Sequence, residues 1–405
     1  MRLTSRRISF NPKHIPRAFI IFTIAGTILL SIRVAVFIKN NHGAASCRRC
    51  NVVMLALDSI RASQLPCYGY TRNTMPTLCS FANRNIQFTN AFSQSSWTLP
   101  GEASLFTSLY PSNHGMNDSV QDILHPSIKT LPEVYKKAGY ETIFIGHSKW
   151  NNVPLEAGLA DSFDRIISTQ DMSLKDQINT WQHAVSALKS RTVKDKPVFL
   201  YIYTEYVVDY RTPDSDHAGN FIFDPSFTAP VIPSDGNTEN KTGEIDVTEP
   251  QHVRYVQNQY DNALLRMDTE LSRFLPLFDA NPLKQNTILV LFSDHGENLG
   301  DHGLLGHITE PFDTVIHVPL IFHLPHIKAN TIQTITQLID LYPTLLSLTG
   351  LSVPDAIAGS DISRLFLDES LSPIVDEHMV RLFLNSVNPI QFLHTNALSR
   401  ALHFS

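Results

Sequence analysis

Five short apolar-rich runs set the tightest limit on this chain: NVVMLAL (51–57), ETIFIG (141–146), PVFLYIY (197–203), TILVLFS (287–293) and VPLIFHL (318–324). Each is too short for a globular helix and reads as a strand, and NVVMLAL and PVFLYIY are apolar on both faces. That pattern belongs to strands covered on both sides in a parallel sheet. Between them lie segments of helical character. MPTLCSFANRN reads as a helix with Pro76 near its start, and LPEVYKKAGY as a helix ended by Gly139. HVRYVQNQYDNALLRMDTELSRFLPLF keeps helical periodicity over many turns, and TQLIDLYPTLLSLTG reads as a helix kinked at Pro343. Such alternation predicts an α/β layer fold with a largely parallel central sheet flanked by helices. Residues 211–249 break it: they are polar, rich in Pro and Gly and without period, as in a long surface loop.

Charge divides the chain unevenly. Nine of its 32 Lys/Arg fall in the first fifty residues with no Asp/Glu, leaving 23 basic against 38 acidic side chains beyond. An acidic body argues against a nucleic-acid partner, since neutralising phosphates needs a basic face. The basic start flanks RAFIIFTIAGTILLSIRVAVFIKN (17–40), about long enough to cross a bilayer as a helix. Arg33 interrupts it near its C-terminal end, where a long side chain can snorkel. Cations before the run, Arg2 to Arg17, favour a cytoplasmic N-terminus and an exported body. A cleaved signal peptide is the rival reading. The expected organisation is a basic tail (1–17), a transmembrane helix (18–38), a linker (39–50), a catalytic domain (51–370) and a short C-terminal subdomain or tail (371–405). Of the four cysteines, Cys47 and Cys50 in CRRC could pair in an exported chain, while Cys67 and Cys79 read as small packing hydrophobes.

In open α/β sheets ligands bind at the carboxyl ends of the strands. Asp58 follows NVVMLAL, Asp294 and His295 follow TILVLFS, and Thr98 precedes a helix expected to start at Pro100. Two carboxylates, an imidazole and a hydroxyl suit one divalent cation. A threonine hydroxyl on such a cation becomes a nucleophile at neutral pH, aimed at a phosphoryl or sulfuryl centre. Singly, each residue has a plainer role: Thr98 as helix cap, Asp58 as turn residue, His295 as loop donor.

NVVMLALDSIRASQLPCYGY, TLPGEASLFTSLYPSNHG, SDHGENLGDHGLLGH and LIDLYPTLLSLTGL resemble, in order, the sulfatase-like branch of the alkaline phosphatase superfamily, over roughly 51–366. The resemblance implies an alkaline-phosphatase-like fold and one divalent metal (Ca, Mn, Mg or Zn) on Asp58, Thr98, Asp294 and His295. Thr98 falls on the nucleophile position, where sulfatases carry the Cys or Ser that becomes formylglycine; Gly101 and Glu102 replace the Ser-Arg that follows their proline. In this it is similar to membrane-anchored phosphoethanolamine and phosphoglycerol transferases, and His307, twelve residues after His295, stands where the former contact the substrate's anionic group. Sulfatases usually pair two aspartates where this chain has Asp58 and Ser59. Relatives also place histidines after the PVFLYIY strand; Tyr203, Thr204 and Val208 stand there instead, leaving Tyr203, Glu205, Asp209, His147 or Lys149 to serve the leaving group or the substrate. The expected function is therefore an anchored, metal-dependent hydrolase or transferase acting on an anionic phosphate or sulfate ester, lipid or glycan linked, through a covalent Thr98 intermediate. The alternative is a silent sulfatase-like binding protein.

Overall fold

A computed structural model describes residues 47–117, 123–146, 163–169, 171–189, 195–211, 244–280, 282–307 and 310–367, with 149, 150, 153, 154, 159, 221 and 232 between them. The 18–38 segment, most of the 211–249 loop and the 371–405 tail lie outside the described residues. Among the described residues no helix is long and apolar enough to cross a membrane.

Among the described residues nine strands form the main sheet: β1 (Asn51–Leu57), β2 (Ile86–Phe92), β3 (Glu141–Gly146), β4 (Arg165–Ser168), β5 (Val198–Thr204), β6 (Thr287–Phe292), β7 (His317–His323), β8 (Asn330–Ile332) and β9 (Thr336–Gln337). Their order is β8-β2-β7-β6-β1-β5-β3-β4, with β9 also on β2. Every pairing is parallel except those of β7, which runs against both β2 and β6. The β7 register with β2 shifts between Val318 and Leu320. Pro319 sits at that irregularity, where its missing N–H costs no ladder bond, and its carbonyl accepts from Ser293 N–H at 3.3 Å.

Burial explains the apolar-rich runs. All seven residues of β1 are buried. Val52, Met54 and Ala56 join one core; Val53, Leu55 and Leu57 join the other. Helices α2 (Thr98–Thr107), α3 (Leu131–Lys137) and α6 (Leu341–Thr349) cover the first face; α1 (Pro76–Ala82), α4 (Leu174–Leu188) and α5 (Pro250–Phe274) cover the second. The 25-residue α5 buries Tyr255, Val256, Tyr260, Ala263, Leu264, Met267 and Leu271, the stripe that its periodicity announced.

Two expectations are corrected. Pro343 does not kink a helix: Thr336–Gln337 is strand, Leu338–Asp340 is a 3₁₀ turn, and α6 begins at Leu341. Pro343 therefore falls in the first turn, where its N–H would have no helical acceptor. Cys67 and Cys79 are not free packing residues: they form a disulfide, as do Cys47 and Cys50. The 3₁₀ turn Pro66–Tyr68 and α1 bring their Cα atoms to 5.3 Å. Closing a loop across a separation of 12 residues removes unfolded-state entropy worth about 3 kcal/mol. Replacing both Cys67 and Cys79 by Ser should lower the chemical-denaturation stability by about that amount; an unchanged midpoint would mean that the pair does not form.

Candidate active site

The site is built where β1 and β6 end side by side. Their register pairs Asn51 with Thr287 and Ala56 with Phe292, so the residues leaving the two strands remain neighbours. The Asp58 N–H donates to Thr204 O at 3.0 Å, continuing the ladder one step past β1. Ser59 then turns with φ 61°, and its hydroxyl donates to Asp58 Oδ1 at 3.0 Å. Tyr260 of α5 holds this turn: its hydroxyl donates to Ser59 O at 2.7 Å and accepts from Arg61 N–H at 3.1 Å. The Ile60 N–H donates to Ser293 Oγ at 2.9 Å, and Ser293 Oγ donates to His295 O at 2.6 Å. Arg61 adds bonds to Glu297 O (3.2 Å) and Asp301 Oδ2 (2.6 Å). Two loops more than 230 residues apart in the chain are thus one unit. Gly296 is fixed by it, since a Cβ there would lie 2.3 Å from Thr314 O and 2.9 Å from Arg61 Cβ.

Asp58, Asp294 and His295 each present a ligand atom within 4.8 Å of the others, and all three are buried. His295 Nε2 lies 3.0 Å from Asp58 Oδ1 and 3.7 Å from Asp294 Oδ2. His295 Nδ1 is 2.9 Å from the Gly296 carbonyl, which can only accept. The proton is therefore on Nδ1, and Nε2 is the atom offered to the cluster.

Thr98 joins this group. The structure starts its helix at Thr98, two residues before Pro100, with Trp97 as cap and no side-chain capping bond. Thr98 is the first helical residue, not the cap; its Oγ1 lies 3.2 Å from His295 Nε2.

His307 also arrives: its ring centroid is 4.4 Å from that of His295. Its Nδ1 donates to Glu297 Oε2 at 2.6 Å, and Tyr210 donates to Glu297 Oε1 at 2.7 Å. Glu297 lies inside the DHGE stretch but was not singled out by the sequence reading, nor was Tyr210. A buried acid two residues past the histidine was the available signal. Behind β5, Thr204 Oγ1 turns away to Gln177 Oε1 at 2.9 Å. The segment that lacks histidines thus contributes Tyr203, buried at the strand end, and Tyr210. Glu205 is half-buried, and Asp209 lies in the 3₁₀ turn Tyr206–Arg211. His147 falls outside the described residues. Lys149 is described only as backbone, in the strand Lys149–Trp150 paired with Val153–Pro154.

The charges suit a cation. Burial, and then the Asp58 carboxylate, push Asp294 up to about 8. Burial opposes a charge on His295, yet Asp294, Asp58 and the Gly296 carbonyl raise it to about 10. Burial would raise Asp58 as well, but His295 and His307 beside it hold it below the usual carboxylate range. Protons compensate the crowded carboxylates here as a metal ion would. Asp294 Oδ2 is buried with no hydrogen-bond partner, an oxygen left for something else. Asp58, Asp294, His295 and Thr98 therefore fit one divalent cation.

The sulfatase family model matches residues 50–351. The chain belongs to the sulfatase family. Human iduronate 2-sulfatase is 24% identical over 389 residues, covering 75% of this chain and 70% of the relative. Among solved structures, the phosphonate monoester hydrolase of Agrobacterium radiobacter superposes with TM-score 0.65 at 18% identity, covering 80% of this chain and 78% of the other. A structure in complex with its substrate D-glucosamine-2-N,6-O-disulfate superposes with TM-score 0.62 at 20% identity, covering 80% and 81%. These superpositions bear out the α/β, alkaline-phosphatase-like fold. As a sulfatase-family enzyme the chain is a hydrolase of sulfate or phosphate esters.

Replacing Asp294 with Asn removes a charged donor but little volume. The Asp294→Asn protein should fold, with metal-free stability no lower than wild type because like charges no longer crowd, and should lose bound metal by elemental analysis. Wild-type metal content in that variant would remove Asp294 from the centre.

Proposed function

We propose that this sulfatase-family protein is a metal-dependent enzyme that cleaves an anionic phosphate or sulfate ester, carried on a glycan or lipid, through a covalent Thr98 intermediate. The observation that carries this is the 3.2 Å approach of Thr98 Oγ1 to His295 Nε2 at the end of a helix it does not cap. A divalent ion bound by Asp58, Asp294, His295 and Thr98 would lower the pKa of the Thr98 hydroxyl and polarise the ester oxygens. Thr98 Oγ1, having lost its proton to solvent, attacks the phosphorus or sulfur as the bond to the leaving oxygen breaks. The first turn of α2 presents its dipole end to the anion. Glu297 holds His307 by Nδ1, leaving Nε2 to donate a proton to the leaving oxygen. That role replaces the histidines missing after β5. Water or a second alcohol then attacks the same centre and frees Thr98, so hydrolysis and transfer share the first half of the reaction. Glycan carriage is suggested by the names of the relatives, an iduronate sulfatase and a structure with a glucosamine disulfate.

The two disulfides support an exported body, since such pairs persist in oxidising compartments. The 18–38 run is then its anchor, with the N-terminus cytoplasmic. Alkaline extraction should leave the full chain in membranes and release a chain lacking residues 1–41. A full chain recovered soluble and trimmed near residue 45 would make the run a signal peptide instead.

Thr98→Ala should fold, keep metal on the remaining three ligands, and lose turnover of aryl phosphodiesters, phosphate monoesters or sulfates by several orders of magnitude. Thr98→Ser should retain part of the activity, because the attacking oxygen survives. Rapid acid quench of wild type should leave a phosphoryl or sulfuryl mass increment on the peptide around Thr98. Full activity in Thr98→Ala on every active substrate would overturn the mechanism. Wild type inactive on the whole panel with metal bound would favour the silent binding protein.

A further inference from the structure

Glu102 is buried beside the candidate metal centre, and none of the steps above uses it. It stands one turn after Thr98 on α2, so the two side chains share a helix face. Its exposure is 0%. Its Oε2 receives the Tyr201 hydroxyl from the middle of β5. Its Oε1 has no hydrogen-bond partner. A buried carboxylate oxygen left unsatisfied is costly, so it calls for a partner. Asp294 Oδ2 is likewise buried without a hydrogen-bond partner. The two groups feel each other: Asp294 is the nearby charge that acts most strongly on Glu102, ahead of Asp58 and His295. α2 also rests on the Asp294 segment, because a Cβ on Gly101 would lie 3.4 Å from Asp294 O. Ser59, beside Asp58, adds a hydroxyl but no charge. Glu102 therefore adds a third buried carboxylate to the charges acting around Asp294 and His295, a local excess of negative charge. A cation relieves that excess.

The geometry points to Glu102 as a third carboxylate acting on the metal centre from outside the Asp58–Asp294–His295 group, setting a buried negative charge against the cation that those three would hold. This rests on the metal reading above. Tyr201 fixes Glu102 Oε2, so Glu102 raises affinity by charge and position, and Thr98 remains the reacting group.

The test is Glu102→Gln in the full chain. Glutamine keeps the volume and an acceptor for Tyr201 while removing the charge. After chelation, Mn²⁺, Zn²⁺, Mg²⁺ and Ca²⁺ are titrated separately, reading Kd by calorimetry and the metal-dependent rise in Tm. Glu102→Gln should weaken the tightest-bound metal ten- to hundredfold and shrink that rise, with metal-free Tm no lower than wild type. Glu102→Asp, which keeps the charge one methylene further back, should fall between, and it carries the test if the Gln protein does not fold. Wild-type Kd in Glu102→Gln, or a lower metal-free Tm with an unchanged metal response, would make Glu102 a structural partner of Tyr201 and overturn the proposal. Asp294→Asn is the control. If wild type binds and Asp294→Asn does not, wild-type affinity in Glu102→Gln sinks the Glu102 proposal alone; a wild type that binds no metal sinks both.

Discussion

The parallel pairing of β1 with β6 is the constraint on which everything at the site depends. Neighbouring strands lie about 4.8 Å apart, and the register keeps Ala56 beside Phe292. Two acids that leave these strands one after the other must then emerge side by side in a buried place. Such crowding is unfavourable without compensation. The protein supplies part of it with His295, whose ring is aimed by the Gly296 carbonyl. The loop bonds among Ser293, Ile60, Arg61 and Tyr260 keep the acids from moving apart. The backbone thus bears the cost of holding like charges together in the candidate cation site.

Thr98 reaches this cluster by another route. It is delivered by the segment between β2 and α2, and its neighbours on α2 are all buried. At Gly101 the helix lies against Asp294 O, which would be 3.4 Å from a Cβ there. The hydroxyl is therefore placed by packing of the helix as a whole, and the acids by strand register.

Much of this was legible in the sequence because buried parallel strands and amphipathic helices leave clear patterns. NVVMLAL and TILVLFS are apolar on both faces because both faces are covered, and that alone located Asp58 and Asp294 at strand ends. Ile86–Phe92 was less visible: its sequence IQFTNAF mixes polar residues into a strand covered unevenly. Pro343 misled because a proline in the first turn and a proline in mid-helix read alike until the start of the helix is known. The Cys67–Cys79 pair was hidden because pairing depends on where α1 lands, which spacing does not state. At the site, the candidate metal residues were readable by type and place. Glu297 and Tyr210 were not, since they matter there only through contact with His307, and the Tyr210–Glu297 contact joins residues 87 apart in the chain.

The single reversed strand has its own consequence. β7 lies between β2, which leads into Thr98, and β6, which leads into Asp294 and His295. The hydroxyl and the candidate metal residues therefore follow strands that do not pair with each other and are joined in the sheet through β7. The register irregularity at Val318–Leu320 lies between them, and Pro319 O accepts from the N–H of Ser293, the first residue past β6. The spacing of Thr98 from His295 thus carries the register of two ladders, β2 on β7 and β7 on β6, rather than of one.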